Sequence, residues 1–96
     1  MIKEEFTNWL KNTTGLSSYS INRYANAIDT ISSELVSYGL ENRNLYSVTD
    51  IKIIDAVANE LLAIQEFQRK NNTGNRMYSA ALNHFKRFVE HNSNQF

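Results

Sequence analysis

Proline is absent from all 96 residues of the chain, and this absence constrains the fold more than any other feature of the sequence. Without proline, helices can continue without a break, and turns depend on glycine, asparagine and serine. The only three glycines, Gly15, Gly39 and Gly74, separate segments in which apolar residues recur three or four positions apart. This spacing predicts one all-α domain covering residues 1–96, a compact bundle of four to five helices.

The first two segments have the apolar spacing of amphipathic helices. The apolar face of residues 2–12 comprises Ile2, Phe6, Trp9 and Leu10, and that of residues 17–39 comprises Ile21, Tyr24, Ile28, Ile31 and Leu35. Ser17 or Ser18 can cap the second helix by accepting a hydrogen bond from an unpaired backbone N–H. Gly39 suits its end, where a left-handed residue is favoured.

The middle of the chain is harder to divide into elements. Residues 44–48, with the sequence NLYSV, alternate as a short strand does, although one strand cannot form a sheet. Ser47 with Asp50 resembles a capping box for the helix that follows, and Thr49 is a rival cap. The apolar stripe leaves open whether residues 50–70 form one helix or two.

The last helical segment follows the turn NNTG, with Asn72 or Thr73 as its predicted cap. Its apolar line comprises Met77, Ala81, Phe85 and Phe88. Taken together, the segments predict a single core, in which aromatic rings supply much of the burial. The predicted core contains Trp9, Ile28, Ile31, Leu61, Phe85 and Phe88.

Charge is balanced overall and unevenly distributed. Ten Lys and Arg residues balance ten Asp and Glu residues, which argues mildly against nucleic-acid binding because domains with that role are usually basic. Residues 1–66, however, carry five basic and nine acidic groups, whereas residues 67–96 carry five basic groups and one acid, Glu90. A basic segment on an acidic body indicates a polyanion or an acidic partner surface, and a basic solvent-exposed helix face would look the same.

The sequence offers no constellation that would support catalysis, a metal or a cofactor. It has no cysteine, no glycine-rich phosphate loop and no nucleophile elbow. The two histidines, His84 and His91, are expected to be a surface pair, and Asp50 and Asp55 look like cap and surface charges. We therefore predict a non-enzymatic domain without metal or cofactor. The N-terminus lacks a signal-peptide pattern and no apolar run approaches about 20 residues, so we expect a cytoplasmic protein without a membrane span.

The strongest candidates for binding lie in and just before the last helix. Four residues step by three or four and are therefore predicted to share a face away from the apolar line: Arg76, Ser79, Asn83 and Lys86. Arg87 adjoins this face, and Arg69 and Lys70 precede the turn and could join it. Lys and Arg attract phosphates, while Asn and Ser can position or read a nucleic acid. An ordinary solvent-exposed face has the same composition.

Several stretches resemble a known family. The pattern in SSYSINRYANAIDTISSEL, the acidic helix start in VTDIKII and the polar turn before YSAALNHFKRFV resemble the SAM-like core-binding domain of phage integrases and other tyrosine recombinases. They are also similar to helical N-terminal segments that precede nuclease or ATPase domains in some bacterial restriction enzymes. The resemblance covers about residues 4–90.

The resemblance implies a SAM-like helical bundle that clamps one side of double-stranded DNA, with the catalytic residues in a separate domain. It places DNA contacts near the start of the second helix and on the last helix, at Ser18, Ser20, Asn22, Arg23, Arg76, Ser79, Asn83, Lys86 and Arg87. On this basis we expect a weak, mostly phosphate-directed DNA-binding accessory domain. It would serve a recombination or restriction-modification system, or act as a stand-alone phage or mobile-element protein.

A protein–protein interaction module is the alternative. It would be an oligomerisation domain, an adaptor or a small inhibitor of a host protein. Aromatic residues are enriched at protein interfaces, and four are predicted to be exposed enough to serve there: Tyr19, Tyr46, Tyr78 and Phe96. A continuous basic groove between Arg23 and the last helix would favour DNA, whereas an apolar patch of several hundred Å² elsewhere would favour a protein partner.

Overall fold

The computed structural model describes residues 2–93, with side chains described to Asn92. This part of the chain contains five α-helices, two short 3₁₀-helices and no strand. The α-helices are α1 (Ile2–Thr13), α2 (Ser18–Glu34), α3 (Ile51–Leu62), α4 (Gln65–Thr73) and α5 (Met77–Ser93), and the 3₁₀-helices are Val36–Tyr38 and Leu45–Ser47. The predicted all-α bundle of four to five helices is therefore confirmed.

The core lies between α2 and α5, which pack against each other, with α1 against α2 and α3 against α5. Aromatic rings fill its centre. The ring centroid of Phe85 lies 5.3 Å from that of Phe6 and 5.3 Å from that of Tyr46, and both pairs are edge-to-face. Of the six predicted core residues, five are buried: Ile28, Ile31, Leu61, Phe85 and Phe88. The sixth, Trp9, is only partly buried and packs against Phe88.

The two helix starts predicted in the first half of the chain have different outcomes. Ser17 caps α2, because its Oγ accepts a hydrogen bond from the backbone N–H of Ser20 at 3.2 Å. Asp50 itself caps α3 by accepting from the N–H of Lys52 at 2.9 Å. The prediction that Ser47 or Thr49 would cap this helix was therefore wrong.

Residues 44–48, whose alternation suggests a short extended piece, instead contain the 3₁₀-helix Leu45–Ser47, with extended backbone only at Asn44 and Val48. Both Leu45 and Tyr46 are buried, so the alternation in the sequence does not correspond to two faces of a strand. The buried hydroxyl of Ser32 accepts a hydrogen bond from the N–H of Leu45 at 3.0 Å. Asn44 caps the turn through its side chain, which accepts from the N–H of Tyr46. These contacts dock the segment onto α2.

Residues 50–70 form two helices, which settles the alternative that the sequence left open. The chain leaves α3 at Ala63 and passes through extended backbone at Ile64 before α4 begins. The side-chain amide of Gln68 donates to the carbonyl of Leu62 at 2.6 Å and so satisfies one of the last carbonyls of α3.

The turn between α4 and α5 contains two consecutive non-glycine residues in the left-handed region, Asn75 at φ 57° and Arg76 at φ 62°. Asn72 and Thr73 belong to the last turn of α4, so the prediction that one of them caps α5 was wrong. Asn71, buried near the end of α4, takes that role. Its carbonyl oxygen accepts from the N–H of Arg76 at 2.7 Å, and its side-chain oxygen accepts from the N–H of Ser79 at 3.0 Å.

Gly39 adopts the left-handed conformation expected of a helix end, with φ 80°. It closes the 3₁₀-helix Val36–Tyr38, which follows the end of α2 at Glu34. None of the helices in the described part of the chain combines the length and the apolar character needed to cross a membrane.

Candidate nucleic-acid interface

A shallow cleft separates the first turns of α2 from the turn that leads into α5. Its volume is about 160 Å³. It is lined by Ser20, Arg23, Tyr24, Gly74, Asn75, Met77 and Ala80, none of which is acidic. The cleft brings together two regions that the sequence analysis selected separately, the start of the second helix and the entry to the last one. We call it the α2–α5 cleft.

Tyr24, which lines this cleft, packs against His84 at a tilted angle where α2 meets α5. Their ring centroids are 5.2 Å apart. The partial burial of the imidazole, and secondarily the charge of Arg87, lower the pKa of His84 below its ordinary value. The prediction that His84 and His91 form a surface pair was wrong for His84, which is partly buried against α2. His91 packs near Trp9, with 6.2 Å between the ring centroids.

Three arginines at or near the α2–α5 cleft are exposed. Arg23 lines the cleft, Arg76 lies in the chain between its lining residues Asn75 and Met77, and Arg87 lies about two turns beyond Ala80 on α5. Among residues 2–93, none of their guanidinium groups makes an ion pair. The guanidinium carbon of Arg23 lies 5.5 Å from the ring centroid of Tyr19, one helical turn earlier on α2. Asn83 is exposed one turn before Arg87 on α5. These charges are therefore available to an anionic ligand.

The two lysines predicted to join this surface are instead occupied within the protein. The ammonium of Lys70 bonds both carboxylate oxygens of Glu34 at 2.6 Å and lies 5.1 Å from the ring centroid of Tyr78. The ammonium of Lys86 contacts a carboxylate oxygen of Asp55 on α3 at 2.7 Å. Burial lowers the pKa of Lys70, but the hydrogen bond and charge of Glu34 more than offset this, so that the pKa is raised overall.

The predicted face through Arg76, Ser79, Asn83 and Lys86 is therefore not one free surface. Arg76 precedes α5 and has left-handed backbone, and the N–H of Ser79 bonds to Asn71. Lys86 reaches across to α3. The helical spacing was read correctly within α5, but the neighbouring helices cover part of that face.

Three other predicted residues, Arg69, Asn22 and Ser18, lie in different clefts. Arg69 lines a cleft between α4 and the 3₁₀-helix Val36–Tyr38, together with the acid Glu66. Asn22 lines a cleft of about 150 Å³ between α1 and α2, together with Thr7, Asn8, Lys11, Ser18 and Ile21. We call this second, also acid-free, surface the α1–α2 cleft. Arg69 thus lies apart from the other candidates, whereas Asn22 lies about 100° around the α2 axis from Arg23, on the side that faces α1.

Lys11 and Asn75 were missed by the sequence analysis, and Tyr19 was considered only for a protein interface. The spacing of Tyr19 and Arg23, four residues apart in a strongly predicted helix, was a usable signal, because such residues are neighbours on a helix surface. No comparable signal exists for Lys11, which reaches this region only because α1 packs on α2.

Of the four residues proposed for a protein interface, Tyr19 is exposed as predicted, whereas Tyr46 and Tyr78 are not. Tyr46 is buried, its hydroxyl donates to the carbonyl of Ala25 at 2.6 Å, and burial raises its pKa. The prediction that Tyr46 is exposed was therefore wrong. Tyr78 is partly buried, and Phe96 lies outside the described residues. The large apolar side chains that are exposed lie on different elements: Ile2, Tyr19, Val36 and Leu62.

No group of three or more His, Cys, Asp or Glu side chains in residues 2–93 could hold a metal ion. No protein-family model matches the chain, and no curated protein or solved structure is significantly similar to it. The geometry of the α2–α5 cleft is therefore the main guide to function.

Proposed function

We propose that this chain is a small non-catalytic helical domain that binds double-stranded DNA weakly through phosphate contacts at the α2–α5 cleft. The observation that carries the proposal is the contrast between the two kinds of basic residue. The arginines at the cleft, Arg23, Arg76 and Arg87, are exposed and make no ion pair among the described residues, while Lys70 and Lys86 are paired. Unpaired guanidinium groups beside an acid-free cleft suit the phosphate backbone.

The balanced net charge of the chain is compatible with this role because many acids face basic side chains elsewhere. Asp29 pairs with Lys3, Glu34 with Lys70, and Asp55 with Lys86. A further pair joins Glu41 and Arg43. Such partnered carboxylates repel a distant phosphate less than isolated ones would, because their charge is partly neutralised locally and salt screens the remainder.

Binding should be weak and nearly independent of DNA sequence. Only about three phosphates can be contacted, and phosphate contacts position a protein without reading bases. Asn83 and Asn75 supply amide groups at the same surface but no array of base-reading side chains. An accessory role beside another DNA-binding or catalytic unit follows from this low affinity.

The resemblance to core-binding domains of tyrosine recombinases, and to helical segments of restriction enzymes, supports the same proposal. In such a system the domain would hold one side of the duplex while a separate domain performs the chemistry. A stand-alone phage or mobile-element protein acting in the cytoplasm is the other setting that fits. Both settings require the same surface of the domain.

The test is a fluorescence-anisotropy titration of a labelled duplex at several salt concentrations. Three arginine contacts predict that raising salt from about 50 to about 200 mM weakens binding about 40-fold. Replacing Arg23 and Arg87 with alanine should lower the slope of log K against log salt by about 1.8. Lys86→Ala is the matched control. It also removes one positive charge, from the residue next to Arg87, but that charge is already paired with Asp55.

The proposal fails if the wild-type protein shows no binding at about 100 µM, the weak end of non-specific affinities. It also fails if Lys86→Ala reduces the salt slope as much as Arg87→Ala does. Circular dichroism on each variant confirms that the helical content is retained.

A protein–protein module is the second candidate, and the exposure of Tyr19 (71%) and Val36 (60%) favours it. These residues lie near opposite ends of α2, roughly 25 Å apart at 1.5 Å per residue, so they do not form one continuous apolar patch. Light scattering over a range of protein concentrations tests self-association. A stable dimer that Val36→Asp dissociates would support this candidate.

A further inference from the structure

Tyr19 is the most exposed of the large apolar side chains in the described part of the chain, at 71%. It lies in the first turn of α2, where the guanidinium carbon of Arg23 lies 5.5 Å from its ring centroid. A tyrosine ring with so little packing contributes little to the core. Beside the proposed DNA surface, most of the ring is therefore accessible to a ligand.

The helical positions around Tyr19 place it between the two acid-free clefts. Ser18 and Asn22 lie on one side of α2 and line the α1–α2 cleft. Ser20 and Arg23 lie on the other side and line the α2–α5 cleft. At 100° per residue, position 19 falls between these pairs on the outward side of the helix. The ring is thus flanked by polar and basic groups in both directions.

Lys11 extends this arrangement on the far side of α2. It lines the α1–α2 cleft, as Arg23 lines the α2–α5 cleft. A central aromatic ring with a cation on either side matches the chemistry of a nucleic-acid strand, whose bases stack on aromatic faces while its phosphates meet Lys and Arg. No acidic residue lines either cleft to oppose the phosphates.

We propose that this surface prefers DNA with unpaired bases to intact duplex, with one base stacked on the ring of Tyr19 and the flanking phosphates on Lys11 and Arg23. The inference rests on the proposed function and specifies its substrate class. In a duplex the base faces are already stacked on each other, so an exposed ring can use them only after unstacking. In a single strand or a gap, a base face is free to meet Tyr19 without that cost.

The experiment compares labelled oligothymidine with a duplex of equal length by fluorescence anisotropy at about 50 mM salt. Wild-type protein should bind oligothymidine more tightly than duplex. Tyr19→Ala should weaken oligothymidine binding by about 5- to 150-fold, the range for losing one stacked base, and change duplex binding by less than about 2-fold. Tyr19→Phe should retain the preference, because it keeps the aromatic face.

Two further variants separate stacking from charge and from general loss of apolar surface. Tyr19→Ala neutralises no phosphate contact, so it should leave the salt slope for oligothymidine unchanged, whereas Lys11→Ala should lower it by about 0.7. Val36→Ala removes another largely exposed apolar side chain, in the 3₁₀-helix that follows α2, and should bind oligothymidine as wild type does. Because Tyr19 and Val36 are both exposed, these variants should fold normally.

The outcomes distinguish this inference from the proposed function. If duplex binding depends on the arginines while Tyr19→Ala binds oligothymidine as wild type does, the stacking inference is overturned and the proposed function stands. If neither DNA binds, both are overturned. If Tyr19→Ala instead abolishes a dimer seen by light scattering and leaves oligothymidine binding intact, Tyr19 belongs to a protein interface and the inference is also overturned.

Discussion

The side-chain oxygen of Asn71 lies 3.0 Å from the backbone nitrogen of Ser79 and accepts its hydrogen bond, so a residue of α4 caps the helix that follows. The backbone carbonyl of Asn71 also accepts from the N–H of Arg76 at 2.7 Å. One buried residue of α4 therefore anchors the start of α5 and holds Arg76 in the turn before it. The orientation of α5 relative to α4 depends on this pair of bonds.

Replacing Asn71 with alanine should destabilise the domain by about 1 to 2 kcal/mol, because an N–H in the first turn of α5 loses its acceptor in a mostly buried site. Urea denaturation measures the change. Asn72→Ala is the matched control, since Asn72 is exposed and should change stability by less than about 0.5 kcal/mol. Equal effects of the two substitutions would argue against the capping role of Asn71.

Arg76 should be a site where binding and stability oppose each other. Its left-handed backbone, at φ 62°, costs an L-residue about 1 to 2 kcal/mol, and glycine avoids that cost. Arg76→Gly should therefore keep or raise stability by up to about 1 kcal/mol, after allowing for the greater freedom of glycine in the unfolded chain. The same substitution should weaken duplex binding.

Arg87→Gly provides the contrast, because it lies inside α5 and should cost about 1 kcal/mol of helix stability. Both variants lose one arginine and so carry the same net charge. Urea denaturation of the two therefore compares the effect of glycine on the free energy of unfolding at a left-handed position and at a helical one. A loss of stability in Arg76→Gly similar to that in Arg87→Gly would contradict the left-handed conformation of Arg76.

Phe85→Ala should destabilise the domain by about 3 to 5 kcal/mol, because the ring is fully buried against Phe6 and Tyr46. Such a loss can exceed the margin of a small domain, so Phe85→Leu serves as a milder variant, with an expected cost of about 1 to 2 kcal/mol. Guanidinium denaturation followed by circular dichroism gives both values. An unchanged midpoint in either variant would remove Phe85 from the core.

The domain should become less stable as the pH falls from about 7.5 to about 5.5, partly because of His84. The pKa of His84 is lowered in the folded state below the ordinary value of 6.5, which applies in the unfolded state. The unfolded state therefore binds the proton more readily. The free energy of unfolding that His84 contributes is present above about pH 6.5 and is lost as the pH falls through the folded-state value. Carboxylates titrate mainly below this window.

Thermal melts at both pH values measure the effect in wild type and in His84→Gln. The variant keeps His91 and should show a smaller drop in melting temperature between the two pH values. A drop as large as that of wild type would exclude His84 as the source.

The apolar spacing was enough to predict four helical segments and most of the core, because helical periodicity reports directly which face is buried. It could not predict that Lys70 and Lys86 are paired. Their acidic partners, Glu34 and Asp55, lie 36 and 31 residues away in the sequence. Pairings at this range depend on how the helices pack, and no local pattern records them.

The turns were the other source of error. The segment NLYSV looked like a strand because of its alternation, yet a distant hydroxyl, that of Ser32, holds it in a 3₁₀-helix. The sequence predicts Asn72 or Thr73 as the cap of α5, whereas the cap is Asn71 in α4. In each case the deciding hydrogen bond joins parts of the chain that the sequence does not place together.

Lys70 has a consequence for the thermodynamics of any association at the α2–α5 cleft. Its ammonium joins Glu34 at the end of α2 to the ring of Tyr78 in the first turn of α5, while the lysine itself belongs to α4. One side chain thereby connects three helices through non-covalent contacts. These contacts help to keep the distance between Arg23 and Arg76 fixed before a ligand binds. Association then loses conformational entropy mainly from the guanidinium side chains, since the backbone beneath them is already ordered.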